Sequence, residues 1–189
     1  MKKTEQYALV LVLSALVFSA IYHAAPAHAA RDDVGYRKLM LGQSRERVGE
    51  IVKSEFSGEY SIRDDGGTIV LSKSRVDKPV AVIVLVFDHD GVLYKINVKM
   101  VKNKTNPQPD EVIKVIEKKH GPPVKRTIAG NLDLTAYWRL DGNRYEIFFQ
   151  NIMAWDKFEV QYTDTLLEKR KEARDKEMNK KPVDKNLDF

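Results

Sequence analysis

The chain has 189 residues, with 32 Lys and Arg, 27 Asp and Glu, a formal net charge of +5 and no cysteine. The lack of cysteine excludes disulfides, thiol catalysis, thiolate metal sites and a lipid anchor on an N-terminal Cys. The basic residues are scattered among acidic ones, so the charge favours anionic surroundings without marking out one basic patch.

The N-terminus has the pattern of an export signal. Two lysines near the start precede an uncharged, mostly apolar run over 7–22, and the small-residue motif Ala27-His28-Ala29 follows. This order predicts a signal peptide over 1–29, cleaved between Ala29 and Ala30. An uncleaved membrane anchor is the alternative, but the apolar run is short for a spanning helix. We therefore expect a periplasmic or secreted mature protein, with no transmembrane span after cleavage and no nucleic-acid partner.

The stretch KLMLGQSRERVGEIVKSEF (38–56) predicts a turn followed by a helix. Ser44 is placed as the N-cap, where its hydroxyl accepts a hydrogen bond from a first-turn amide. Val48, Ile51 and Val52 follow at helical spacing and predict a buried stripe, while the charged residues between them predict a wet side.

Three strand patterns follow the first helix. GTIVLSK (67–73) comes after a DDGG turn, and PVAVIVLVF (79–87) is a continuous apolar run of the kind found in central strands. VLYKINVKMV (92–101) alternates between apolar and polar residues, which is typical of a half-buried strand. Asp90-Gly91 lies between the last two strands and predicts a β-hairpin.

The second helix is predicted over 109–120. Pro109 suits the first helical position, and acidic residues follow it at the positive end of the helix dipole. Lys118, Lys119 and His120 stand at the other end. Gly121 then predicts the C-terminal cap, and two prolines prevent continuation.

A second strand set follows this helix. LTAYWRL (134–140) and RYEIFFQ (144–150) are joined by a DGN turn, and KFEVQYT (157–163) alternates in polarity. The order helix, strands, helix, strands predicts one domain over 30–163 that contains two pseudo-repeat units. These units would span about 38–101 and 105–163.

The chain changes character after the last strand. Residues 164–189 are charged nearly all round, with only a thin apolar edge that includes Leu166, Ala173 and Met178. We predict a solvated helical tail that ends before Pro182, and a partner-binding helix is the alternative.

Cleavage after Ala29 would leave His89 and His120 as the histidines of the mature chain. His89 lies between Asp88 and Asp90, but three adjacent residues in a tight turn point apart, so a plain turn is favoured over a metal site. His120 lies in the last helical turn, where the dipole favours an imidazolium and a structural role. No nucleophile, zinc, phosphate-loop or dinucleotide motif is present. The sequence therefore predicts no catalytic, cofactor-binding or metal-binding residue.

Aromatic residues are concentrated between 137 and 162. By strand parity, Trp138 belongs to the core, whereas Tyr137 and Arg139 share the opposite face. Phe148 is predicted on the polar side of its strand, and Trp155 lies in a connection. We therefore predict a partner-binding surface of Tyr137, Arg139, Phe148 and Trp155. A Trp155 lid that closes one end of the core is the alternative.

The segment LGQSRERVGEIV resembles the helix entry of the SmpA/OmlA-like outer-membrane assembly family. The tandem helix-then-strands order is similar to that of beta-lactamase inhibitor protein. The chain differs from the assembly family in lacking the lipid-anchored Cys and in having Arg47 where a capping box has an acidic residue. These resemblances imply binding of other proteins through a sheet face, and neither family has catalytic residues to carry over.

The sequence as a whole predicts an α+β fold. An antiparallel sheet would have two helices packed on one face, a tandem helix-then-strands pseudo-repeat and a charged C-terminal helix. The predicted function is that of an exported, non-catalytic binding or scaffold protein, without cofactor, that meets a protein or an anionic cell-envelope component. The alternatives are a carboxylate-using cell-wall hydrolase and a periplasmic carrier of a small apolar ligand.

Overall fold

The computed structural model describes residues 34–73, 79–103, 106–129, 133–152 and 156–180, all within the unit Asp32–Phe189. The predicted signal peptide and its cleavage site lie outside the described residues. The described residues form three helices and ten strands, in this order: β1 Gly35–Tyr36, β2 Leu39–Met40, α1 Arg45–Glu55, β3 Ser61–Asp64, β4 Thr68–Ser72, β5 Val80–Phe87, β6 Leu93–Val101, α2 Pro109–His120, β7 Lys125–Ala129, β8 Asp133–Leu140, β9 Tyr145–Asn151, β10 Lys157–Asp164 and α3 Thr165–Lys180.

Eight of the strands form one antiparallel sheet in the order β3-β4-β5-β6-β10-β9-β8-β7. Each of α1 and α2 is followed by a meander of four strands. The last strands of the two meanders, β6 and β10, pair at the centre of the sheet, from Lys95 opposite Thr163 to Val101 opposite Lys157. The predicted α+β class is therefore confirmed, while the assignment of 38–101 and 105–163 as repeat units stays a prediction.

One face of this sheet packs against α1 and α2 and forms the core. Ile96 and Val98 of β6 and Phe158 and Val160 of β10 are almost completely buried, and Trp138 is the largest buried side chain among the described residues. The α1 stripe of Val48, Ile51 and Val52 belongs to the same cluster, as its spacing predicts, and so do Ile113 and Ile116 of α2. The apolar spacing over 112–116 also predicts burial of Val115, and that prediction is wrong because Val115 is 68% exposed. Alternate residues of each strand point away from the helices, and that opposite side is called the outer face below.

The start of α1 and both ends of α2 are as the sequence predicts. Ser44 Oγ accepts a hydrogen bond from the Arg47 amide at 3.3 Å and caps α1. At the start of α2, the carboxylate of Glu111 accepts from the Gln108 amide at 2.8 Å. Gly121 ends α2 with a φ of 84°, a conformation that glycine adopts without strain. Its carbonyl accepts a hydrogen bond from Trp138 Nε1 at 2.9 Å, which ties the helix end to β8.

Three structural features are absent from the sequence-based prediction. β1 and β2 form a hairpin of two residues in each strand, too short to show a period. β3 and β7 are the two edges of the sheet, and all four residues of β3 are exposed. Edge strands are stabilised by backbone pairing with one neighbour, so they need no alternation of apolar residues and give no pattern to detect.

The predicted charged C-terminal helix is confirmed as α3, which follows β10 directly. The sequence predicts that this helix is solvated on all sides. In the structure, charged residues on one side of it pair instead with the β5–β6 hairpin. None of the helices among the described residues combines the length and apolar content that crossing a membrane requires.

Candidate functional site

Three of the four predicted binding residues lie together on the outer face. One cross-strand row runs over β6, β10, β9, β8 and β7, each residue directly opposite the next, and consists of Asn97, Gln161, Phe148, Tyr137 and Lys125. The adjacent row brings Arg139 opposite Glu146 and Glu146 opposite Thr163. Strand parity therefore placed Tyr137, Arg139 and Phe148 on the same face, as the structure does.

Tyr137 and Arg139 form a local contact at the centre of this region. Arg139 Nε donates a hydrogen bond to Tyr137 Oη at 3.0 Å, and its guanidinium carbon lies 5.2 Å from the centroid of the ring. Arg139 Nε also lies 3.6 Å from a carboxylate oxygen of Glu146. Partial burial and a hydrogen bond with Glu146 raise the pKa of the Tyr137 phenol above 10.0, against the opposing effect of Arg139. The phenol therefore keeps its proton at physiological pH and bridges Arg139 and Glu146.

Phe148 adds a second ring directly across from Tyr137. Both side chains are partly exposed, whereas the neighbouring Trp138 and Phe149 are buried on the other face. The two rings and Arg139 are called the aromatic patch below. Trp155 lies outside the described residues, so its two predicted roles, recognition anchor and core lid, stay predictions.

The aromatic patch lies next to polar side chains with hydrogen-bonding capacity. Gln150, Gln161 and Thr135 are partly exposed on the same face. The side-chain oxygen of Asn97 is buried and has no hydrogen-bond partner among the described residues. Beyond Asn97, the row continues through Val84 and Val70 to the exposed Arg63 of the edge strand β3.

A groove lies at the other end of β6 and β10. Its volume is about 320 Å³, and the described residues that line it are Lys99, Asp156, Lys157, Phe158 and Glu159. Lys99 Nζ lies 3.9 Å from Glu159 Oε2. The groove thus offers both signs of charge.

A second charged cluster joins the β5–β6 turn to α3. Asp88 Oδ1 accepts from the amides of Asp90 at 3.0 Å and Val92 at 2.9 Å, and its other oxygen accepts from Arg170 at 2.7 Å. Asp90 accepts from Arg170 at 2.9 Å and from Arg174 at 2.7 Å. We call this set of contacts the hairpin clamp.

His89 and Asp175 extend the hairpin clamp. His89 Nε2 lies 2.7 Å from Asp175 Oδ1, and Lys171 donates to the other oxygen of that carboxylate at 2.6 Å. Within the described ranges, no group of three or more His, Asp or Glu side chains has an arrangement that could hold a metal ion. Sequence reasoning missed the hairpin clamp because its two sides are about eighty residues apart, and helical periodicity does not show where α3 docks.

Comparisons with known proteins show no family for this chain. No family model matches the chain, and no curated protein matches it. A crystal structure of the DUF4309 family protein YjgB from Bacillus subtilis subsp. subtilis str. 168 is similar over 68% of this chain and 83% of that chain, with 15% sequence identity and a TM-score of 0.40. Membership of the SmpA/OmlA-like family, or of the beta-lactamase inhibitor protein architecture, stays a prediction.

Proposed function

We propose that this chain is an exported, non-catalytic binding protein that captures a protein or a cell-envelope component through the aromatic patch. The observation that carries the proposal is the pairing of Tyr137 and Phe148 as partly exposed neighbours on the sheet face opposite α1 and α2. Aromatic side chains and arginine are the residues most enriched among the energetic centres of protein interfaces.

The local geometry suits recognition because it is held in place before a partner arrives. Tyr137 and Phe148 are carried by the paired strands β8 and β9, and Arg139 is held by Tyr137 and Glu146. Groups fixed on a sheet lose little conformational entropy on binding. The surrounding amide and hydroxyl side chains can supply the polar rim of an interface.

The proposal is tested by replacing the aromatic patch and measuring partner capture. The variant Tyr137→Ala/Arg139→Ala/Phe148→Ala is compared with wild type by crosslinking in the native host and mass-spectrometric identification of partners. We expect the specific crosslinks to disappear while the circular dichroism spectrum is retained, because these side chains are outside the core.

The matched control is Lys114→Ala/Val115→Ala/Lys118→Ala, which changes three exposed residues of α2 on the other side of the sheet. This control should retain the wild-type crosslinks. If the patch variant also retains them, the aromatic patch is not the binding surface.

The hydrolase and carrier alternatives make different predictions for the purified protein. A carrier would retain its ligand in native mass spectrometry, and a hydrolase would release soluble fragments from cell-wall polymer. The binding function predicts neither result and predicts loss of partner capture in the patch variant instead.

A further inference from the structure

The first turn of α3 is fixed to the sheet. Asp164, the last residue of β10, is fully buried, and its Oδ1 accepts from the amides of Leu166 at 3.0 Å and Leu167 at 3.1 Å. The Thr165 amide donates to the Arg144 carbonyl at 2.8 Å. These contacts cap the helix and determine its direction of departure from the sheet.

The rest of α3 is held differently. None of its sixteen residues is buried. Its charged side chains form the hairpin clamp through Arg170, Arg174 and Asp175, and Glu168 pairs with Lys95 on β6. Docking beyond the first turn therefore depends strongly on charge.

Ion pairs of this kind are readily exchanged for other partners. The side chains of Arg170 and Arg174 are 47% and 45% exposed and that of Asp90 is 44% exposed, whereas that of Asp88 is only 2% exposed. Exposed ion pairs contribute little to stability and are screened by salt. An external anion can therefore compete with Asp90, which pairs with both guanidinium groups.

We propose that α3 is an anion-binding arm, held closed by Asp88 and Asp90, that opens to bind an extended phosphate-bearing polymer. Arg170 and Arg174 are one helical turn apart and already hold carboxylates with short hydrogen bonds. The planar guanidinium group binds phosphate in the same two-pronged manner as carboxylate. Lys169, Lys176 and Lys180 are exposed on the same helix and would add to the attraction, whereas the exposed Glu172 and Glu177 would oppose it.

A polymer in solution fits this helix better than a bilayer surface. A helix that lies on a membrane needs a continuous apolar face to enter the headgroup region. The exposed large apolar residues of α3, Leu166 and Met178, lie near its two ends, and most residues between them are charged. The helix α3 can therefore recognise a ligand through its charged side chains rather than through an apolar face.

If Asp90 holds the arm closed, substitutions of the two partners in the Asp90–Arg174 ion pair should have opposite effects on polyphosphate affinity. The substitution Asp90→Asn removes the competitor and should strengthen binding of sodium polyphosphate to the full mature chain by about threefold. The substitution Arg174→Gln removes a ligand group and should weaken binding by about threefold, and Arg170→Gln/Arg174→Gln by about tenfold. Binding is measured by isothermal titration calorimetry at low salt.

The chain provides a remote ion pair as a matched control. Arg126 and Asp110 pair at 2.9 Å between β7 and α2. Asp110→Asn and Arg126→Gln make the same charge changes away from α3 and should alter polyphosphate affinity much less. Because Asp88 is buried, Arg170→Gln is also expected to lower stability, so Arg174→Gln alone is the deciding variant.

Opening of the arm has its own readout. The chain has no cysteine, so Arg63→Cys and Lys176→Cys can be spin-labelled without background. Pulsed electron paramagnetic resonance should show a longer or broader distribution of distances between the two labels when polyphosphate is added.

An unchanged distance distribution, or equal effects of the clamp and control variants on polyphosphate affinity, would overturn the proposal. Tighter binding to phosphatidylglycerol vesicles than to polyphosphate would show a lipid surface as the ligand and would overturn the polymer assignment.

Discussion

Asp88 links the β5–β6 turn to α3 through its side-chain hydrogen bonds. It is buried, yet its carboxylate accepts hydrogen bonds from two backbone amides and from Arg170. Burial opposes ionisation, but the Val92 amide, Arg170 and the Asp90 amide outweigh it and lower the pKa of Asp88 below 3.8. The sequence raised the question of a metal site at Asp88. In the structure, the charge of this carboxylate stabilises the turn and its contact with α3.

This lowered pKa makes a prediction about stability and pH. A group whose pKa is lower in the folded state contributes stability above its unfolded pKa and loses it as the pH falls through the folded value. The substitution Asp88→Asn should cost about 1–2 kcal/mol at pH 7. The difference in urea-unfolding free energy between wild type and variant should narrow below about pH 4. A difference that stays constant down to pH 2 would show that ionised Asp88 does not stabilise the fold.

Helix caps show what a single residue reveals from sequence. Ser44 precedes a clear apolar stripe, so its capping role was predictable and is confirmed. Asp164 caps α3 equally directly, but α3 has no such stripe, and the residue also completes the alternation of β10. Asp164 can act as the cap because β10 ends and α3 begins without a linker between them. Local sequence patterns do not specify such a direct junction.

At the scale of whole elements, burial explains which segments could be predicted. α2 carries Pro109, a buried stripe and Gly121, and its predicted bounds are confirmed. β6 and β10 have one buried face, so their alternation was visible. β3 and β7 lie at the edges, with exposed residues in a pattern that resembles a loop. The predicted strands were therefore those with at least one side facing the core.

The same contrast predicts how two helices respond to salt. α2 buries Ile113 and Ile116, whereas α3 buries no residue and uses ion pairs beyond its first turn. At 1 M NaCl, amides over 171–180 should exchange with deuterium about fivefold faster than at low salt, while those over 114–120 change little. Hydrogen-exchange mass spectrometry measures both in one sample. Equal protection of α3 at both salt concentrations would show that charge does not hold it.

At the scale of the whole molecule, the central pair β6 and β10 joins the two strand sets. Val98 and Val160 are directly opposite each other in the core, with Ile96 and Tyr162 beside them. The sequence predicted two sets of strands but not their order, because strand pairing over long separations is not encoded in local periodicity. It also left open how the aromatic patch and the valines of β4 and β5 come to share one outer face.

This central pairing predicts that the two strand sets unfold together. Val98 belongs to the first set, whereas Trp138 and Trp155, the tryptophans of the chain, follow α2 in sequence. Because Val98 is fully buried, Val98→Ala should cost about 2 kcal/mol. If the sheet is one cooperative unit, the urea midpoints from tryptophan fluorescence and far-ultraviolet circular dichroism should fall together. The control Val70→Ala, on the partly exposed outer face of β4, should shift both urea midpoints much less.

A fluorescence midpoint that does not change in Val98→Ala would show that the second set folds independently, and the two halves would then be separate domains that share a sheet.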